Sequence, residues 1–189
     1  MDYRFLFITT ACSWGASEIA MALFKRSGRQ ASTRRDRGSL PLLVAVIASS
    51  AGIGLTQDFG PIAQISANPT ASCIAGLVLV LFGVAFRWNA ILTLGSFFTT
   101  NVAIRHDHRL VRHGIYRVLR HPSYTGTLLI LAGIALATNH WLNAALVFVP
   151  CTVALLHRIR IEEAVLLEAF GQEYRDFCKS TSRLVPLVY

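Results

Sequence analysis

The stretch Ser123-Tyr124-Thr125-Gly126-Thr127-Leu128-Leu129-Ile130-Leu131-Ala132-Gly133-Ile134-Ala135-Leu136-Ala137-Thr138, then Asn139-His140, then Trp141-Leu142-Asn143-Ala144-Ala145-Leu146-Val147-Phe148-Val149-Pro150-Cys151-Thr152-Val153-Ala154-Leu155-Leu156-His157, decides the fold. Neither limb contains Asp, Glu, Lys or Arg. Crossing a hydrocarbon layer of ~30 Å takes about 20 apolar residues, usually ~17–25. Backbone polar groups in lipid must be paired internally, and both limbs are too long and too unalternating for barrel strands. They read as two helices joined by a minimal Asn139-His140 turn, a tight helical hairpin in a membrane. Pro122 suits the first turn of the first limb, where a missing N–H costs little. That limb is short, so it must sit in thinned lipid or extend into the polar stretch before it.

Working outward, residues 3–24, 40–57 and 70–88 are also apolar enough to span. Mean hydropathy is +0.50 and only 15% of residues are charged, against roughly 25% in a typical soluble domain. The expected class is all-α: a multi-pass membrane protein of about five transmembrane helices. The formal net charge of +8 raises the question of nucleic acid, but the placement of the charges answers it. With the N-terminus outside, five spans put residues 25–39, 87–122 and 158–189 on one face, and these hold 17 of the 18 Lys and Arg residues. By the positive-inside rule that face, with the C-terminus, is cytoplasmic. The basic balance records topology and attracts anionic headgroups of membrane lipids; it gives no reason to invoke DNA or RNA.

Residues 3–24 lack a basic flank on the N-terminal side, and basic residues follow the apolar run, so the segment reads as a retained span and not a signal peptide. Cys12, Cys73, Cys151 and Cys178 are scattered without a C-x-x-C pair and read as small buried hydrophobes. The chain reads as one domain of two unequal parts. Residues 1–88 form a three-span membrane support with no evident chemistry, where Asp36-Arg37-Gly38-Ser39 has turn character and Ser39 is placed to cap the second span. Residues 89–189 carry the candidate chemistry. Within them, 91–98 is apolar but too short to cross and reads as interfacial or re-entrant. Residues 158–179 have helical periodicity, with Ile161, Val165, Ala169 and Phe170 on one face, and predict a cytosolic amphipathic helix. The tail from Leu184 is too apolar to hang free and should fold back onto the protein or the membrane.

Two dense polar patches flank the hairpin. Before it stand Leu110-Val111-Arg112-His113-Gly114-Ile115-Tyr116 and Arg120-His121-Pro122-Ser123-Tyr124-Thr125-Gly126; after it stands Arg158-Ile159-Arg160-Ile161-Glu162-Glu163. His106, His108, His113 and His121 raise metal binding, but no helical H-x-x-x-H pair and no Cys partner completes a ligand set, so no metal is expected. Gly52-Ile53-Gly54 lacks the third glycine of a dinucleotide fingerprint and sits in a span. No Ser/His/Asp nucleophile arrangement is signalled. Arg158 and Glu162 are four apart, so on a helix they share a face and can pair. Spacing leaves two readings open: solvated boundary charges worth at most about 1 kcal/mol, or a carboxylate held at the membrane boundary by a ligand or partner. Likewise, Arg120 to Tyr124 fits an interface anchor as well as a site.

These residues resemble the isoprenylcysteine carboxyl methyltransferase family, within the broader group of membrane methyltransferases that includes phospholipid methyltransferases. The pattern is Leu110-Val111, Gly114, Tyr116, Arg120-His121-Pro122, Tyr124 and Gly126, then Glu162-Glu163, Leu166, Phe170-Gly171, Tyr174, and finally Arg183-Leu184, Pro186 and Tyr189. It runs in order through the C-terminal half, whereas residues 1–88 match only in being apolar spans. The resemblance implies S-adenosylmethionine as cofactor, held on the cytoplasmic face by Asn101, His108, Arg109, Leu110, Val111, Tyr116, His121, Pro122, Ser123, Tyr124 and Glu162. It implies Arg158 as the catalytic residue facing the substrate, and a lipophilic acceptor entering from the bilayer.

Those roles are chemically reasonable. Aromatic rings attract a sulfonium, a guanidinium grips a carboxylate at two points, and methyl transfer demands alignment more than acid–base help. A prenylated-cysteine carboxylate is the leading acceptor and needs no general base, being ionised already. A phospholipid amine, a phenolic lipid or a thiol remains an alternative acceptor. Beyond methyl transfer, a sterol-type membrane reductase would use NADPH, and a non-catalytic membrane scaffold would bind neither cofactor.

Overall fold

The computed structural model describes residues 5, 8–9, 13–18, 20, 39–56, 63–98 and 109–186. Among them every regular element is helical. A helical stretch at residues 13–18 precedes α1 (Ser39–Thr56), α2 (Pro69–Leu94), a 3₁₀ turn at Gly95–Phe97, a second at Gly114–Arg117, α3 (Pro122–Ala137), α4 (Trp141–Phe170) and α5 (Gln172–Ser180). Two helical segments, Pro69–Phe97 and Trp141–Phe170, are long and apolar enough to cross a membrane; Pro41–Ser50 and Pro122–Ala137 are shorter apolar helices. Ile74, Val78, Leu81 and Phe82 on α2 and Val149 and Val153 on α4 are exposed, a surface suited to hydrocarbon and not to water.

The hairpin forms as its sequence predicts. Pro122 opens α3, and Asn139, at φ 52°, makes the turn. Asn tolerates this left-handed conformation better than most residues. The Asn139 side chain also explains its burial: Oδ1 accepts from Ser66 N at 3.1 Å and Ser72 Oγ at 2.8 Å, and Nδ2 donates to Ser66 O at 3.0 Å. The turn is thereby pinned to the chain leading into α2, whose own start is capped by Asn68 Oδ1 accepting from Ala71 N at 3.1 Å.

α2 and α3 lie antiparallel in close contact because glycines face each other across them. A Cβ at Gly76 would sit 2.5 Å from Gly133 O, and one at Gly126 would sit 2.7 Å from Arg87 Cβ. Small residues that admit close backbone approach are the usual means of packing helices where lipid offers no hydrophobic drive. α4 lies against α3 and α1, and Leu43, Val80, Ile130, Leu131, Ile134, Val147, Cys151, Ala154 and Leu155 form the shared core. Cys73 and Cys151 are buried, as expected, and Cys178 is partly exposed; Cys12 lies outside the described residues.

Two boundary expectations are corrected. Residues 91–98 are not a separate interfacial segment: α2 runs without a break through Trp88 to Leu94, with Ala90 and Ile91 buried. Nothing between Trp88 and Leu94 breaks a helix, and Gly95, at φ +58°, ends it with its N–H on Ile91 O. Nor do residues 158–179 form one helix. The charged cluster continues α4, and the chain breaks at Gly171, at φ +53°, before α5. Ala169, expected on the apolar face with Ile161, Val165 and Phe170, is exposed, whereas α5 buries Tyr174 and Phe177. At 1.5 Å per residue α4 is ~45 Å long, more than a ~30 Å hydrocarbon layer requires, so its charged end projects beyond the apolar part, 141–157.

Candidate functional site

The projecting end of α4 packs beside the N-terminus of α3 and the 3₁₀ turn at Gly114–Arg117, and these elements enclose a cavity of about 440 Å³. Arg109, Leu110, Val111, Tyr116, His121, Ser123, Tyr124, Glu162 and Arg158, all singled out from the sequence, line it together. Pro122 is fully buried beneath the wall as the first residue of α3. Asn101 and His108 lie outside the described residues.

The polar centre is a three-residue relay. Tyr124 Oη donates to Glu162 Oε2 over 2.7 Å, and Arg158 Nε donates to Tyr124 Oη over 3.0 Å. Arg158 is only 4% exposed, and such a cation is tolerated only with strong partners. The Arg158–Glu162 spacing therefore places both groups on one face as expected, with the Tyr124 hydroxyl between them. Gly114, at φ +58°, turns the chain so that Tyr116 points inward. Burial, and after it the negative charge of Glu162, holds the Tyr116 phenol well above its usual range, so it stays a hydrogen-bond donor.

Glu163, one residue on, points away from the cavity. Its carboxylate meets Arg120 Nε and His121 Nε2, each at 3.3 Å, and Arg183 Nη2 at 2.8 Å. Burial is the largest single influence on it and opposes ionisation. The hydrogen bonds and charges of His121 and Arg183 together outweigh burial and bring the carboxyl down to about 2. The C-terminal segment folds back onto the protein as expected: Arg120 N donates to Ser182 O at 2.8 Å, Ser182 N to Val118 O at 2.9 Å, and Leu184 is buried.

The wall also holds residues the sequence reading passed over. Arg87, counted only among the positive-inside charges, is a clamp between Glu18 and the start of α3. Its Nε and Nη2 reach Glu18 Oε1 and Oε2 at 2.8 and 3.0 Å, and its Nη1 reaches Ser123 Oγ and Thr127 Oγ1 at 2.8 and 2.9 Å. Trp14 Nε1 donates to Glu18 Oε1 at 3.2 Å. The half expected to lack chemistry thus supplies an ion pair to the cavity; the available signal was an arginine near the end of an apolar helix, which by default marks a site. Tyr174 and Phe177 of α5 complete the wall, with the Arg112 guanidinium 5.8 Å from the Phe177 ring centroid. The Tyr174 hydroxyl is buried and has no hydrogen-bond partner among the described residues.

Comparison with known proteins matches a stretch of the chain that includes much of this wall. A sequence model of the isoprenylcysteine carboxyl methyltransferase family matches residues 76–168. Protein-S-isoprenylcysteine O-methyltransferase A of Arabidopsis thaliana is 35% identical over 115 residues, covering 60% of this chain and 58% of that protein. The Tribolium castaneum protein-S-isoprenylcysteine O-methyltransferase is 35% identical over 115 residues, covering 60% of this chain and 41% of that one. A solved structure of the eukaryotic intramembrane Ras methyltransferase (isoprenylcysteine carboxyl methyltransferase) superposes with a TM-score of 0.64 at 32% identity, covering 78% of this chain and 53% of that one. The chain thus spans about half the length of these relatives. Over residues 76–168, from the glycine-paired helices to the charged end of α4, it carries the sequence pattern of the isoprenylcysteine carboxyl methyltransferase family.

Proposed function

We propose that this protein is an integral-membrane, S-adenosylmethionine-dependent methyltransferase acting on a lipophilic carboxylate, most simply a prenylated-cysteine carboxylate. The observation that carries the proposal is one cavity that gathers the relay Glu162–Tyr124–Arg158 with Arg109, Tyr116 and His121. The names of the relatives support the same reaction.

The residues present suit that cofactor. The cavity of about 440 Å³ lies within the ~300–1,000 Å³ of small-molecule sites. Glu162 offers an acceptor to amino or hydroxyl groups, Arg109 a guanidinium to a carboxylate, and Tyr116 and Phe97 ring faces to an adenine or a sulfonium. The buried Tyr174 hydroxyl, which has no hydrogen-bond partner among the described residues, is a further polar group able to meet a bound one. When bound, the cofactor supplies an electrophilic sulfonium methyl group. Arg158 holds the acceptor carboxylate and turns one oxygen toward that methyl, while Tyr124 fixes the spacing between the substrate-side cation and the cofactor-side carboxylate. An ionised carboxylate needs no base, and the guanidinium favours it over an amine.

In the membrane we assign five spans, with the N-terminus outside and the cavity at the cytoplasmic face, because the basic residues collect there. Apolar Leu43, Val44 and Ile47 of α1 wall one side of the cavity and suit entry of a lipid tail. Calorimetric titration of the detergent-purified protein with S-adenosylhomocysteine, alongside NADPH, tests the reading. Saturable binding of S-adenosylhomocysteine alone is expected; binding of NADPH alone would move the protein to the reductases, and binding of neither would make it a scaffold.

A further inference from the structure

We propose that Glu163 is a positioning residue that fastens the C-terminal segment 181–186 to the loop carrying Arg120 and His121, and that this fastening sets cofactor affinity. The inference rests on the methyltransferase reading and extends it to a residue outside the cavity. Glu162 and Glu163 are adjacent on α4 but face different ways: Glu162 lines the cavity and Glu163 does not. The Glu163 side chain is 15% exposed, and three cationic or imidazole groups converge on it. Two of these, Arg120 and His121, line the cavity, and the third, Arg183, belongs to the C-terminal segment.

That segment makes a parallel bridge, Leu119 with Ser182, and backs it with further bonds. His121 N donates to Arg183 O at 3.1 Å, Thr125 Oγ1 to Leu184 O at 2.7 Å, and Arg120 Nη1 to Cys178 O at 3.0 Å and to Thr181 O. The segment therefore holds the entry to α3 along its backbone, and Glu163 locks it from the side through Arg183. With the carboxylate present, His121 has one place and one orientation. Without it, the arginines repel each other, the strap loosens and His121 loses its bearing on the cavity. A partly buried hydrogen-bonded charge outside a site commonly governs binding in this way, through the groups it orients.

The test uses the full chain in detergent and titrates S-adenosylhomocysteine into wild type, Glu163→Gln, Glu163→Asp, Arg183→Gln and the double variant Glu163→Gln/Arg183→Gln. Glu163→Gln and Arg183→Gln should each weaken binding about tenfold. The double variant should be no weaker than Glu163→Gln, and Glu163→Asp should recover part of the loss. KM for the acceptor should stay within about twofold throughout, because the acceptor side, at Arg158, is untouched; a general loss of structure would move both. Unchanged cofactor affinity in Arg183→Gln, a variant that keeps the buried carboxylate and its two loop partners, overturns the proposal even where Glu163→Gln does not fold. Fully additive losses in the double variant also overturn it. If wild type itself does not bind S-adenosylhomocysteine, the methyltransferase reading falls and takes this inference with it, whereas wild-type binding matched by Glu163→Gln removes the inference alone.

Discussion

Tyr124 Oη lies 2.7 Å from Glu162 Oε2, so a residue on the first turn of α3 donates a hydrogen bond to one on the projecting end of α4 in the cavity wall. The same oxygen accepts from Arg158 Nε, which couples the two charges through a phenol. Tyr124→Phe removes only this oxygen. A hydrogen bond to a charged group contributes about 1.5–3 kcal/mol, so S-adenosylhomocysteine affinity should fall roughly ten- to a hundredfold, with acceptor turnover reduced further because Arg158 also loses its orientation. Isothermal titration and single-turnover methylation measure the two effects separately; an unchanged dissociation constant would make the phenol a bystander.

Glu162→Ala should abolish cofactor binding while leaving the protein folded in detergent. Its carboxylate is partly exposed and faces the cavity, so its removal leaves no core void. Circular dichroism and a thermal melt verify the fold, and the same titration reads the loss. Retained affinity would remove Glu162 from the site.

Arg158→Ala should spare cofactor binding and depress turnover of a carboxylate acceptor about a hundredfold, the scale of effect seen when a reacting group is misplaced by an ångström. Equal turnover would point instead to a neutral or cationic acceptor.

Packing sets the geometry of all three residues. A Cβ at Gly76 would meet Gly133 O at 2.5 Å and Ala137 N at 2.9 Å, both backbone atoms that cannot rotate aside. Gly76→Ala should therefore push α2 from α3 and cost about 1–3 kcal/mol, the usual penalty of overpacking. A lowered melting temperature in detergent, with weakened cofactor binding because Arg87 moves away from Ser123 and Thr127, is the expected pair of results. Gly15, which has open space around it, should accept Ala without a lowered melting temperature.

The hairpin was legible because short-range rules govern it, whereas spacing alone left the cavity wall open between an interface anchor and a site. Pro122, Asn139 and the uncharged runs between them leave few alternatives to two apolar helices and a turn. The ordered pattern from Leu110 to Glu162 led to residues that do meet around one cavity. Helix ends were harder. Arg87-Trp88 looked like the end of a span, yet an arginine paired with Glu18 and hydrogen-bonded to Ser123 and Thr127 can remain inside a helix, and no local signal announces partners 36 to 69 residues away. The Arg158–Glu163 cluster looked like the start of a new helix for the same reason. Its break falls instead at Gly171, where backbone freedom and not charge decides. Glu163 stood in the pattern beside Glu162; helix geometry turns such neighbours about 100° apart, but which of the two meets the cavity is a tertiary fact.

That facing makes the protein's response to acid a readable property of one carboxylate. Glu163 has its pKa brought down from an ordinary 4.5 to about 2: burial works against ionisation, and His121 and Arg183 more than offset it. Arg120 also faces the group, at 3.3 Å. A depressed carboxylate contributes stability that is complete above its unfolded value and disappears as pH falls through its folded one. Wild type should therefore exceed Glu163→Gln in stability by about 2–3 kcal/mol above pH 4.5, a partly exposed version of the cost of breaking a buried ion pair. The difference should shrink as pH falls from 4.5 toward 2 and vanish only below pH 2, where both side chains are neutral. Thermal melts of the two proteins in one detergent, stepped through that range, measure it directly. A gap that stays constant down to pH 2 would mean that shape, and not charge, is what Glu163 contributes.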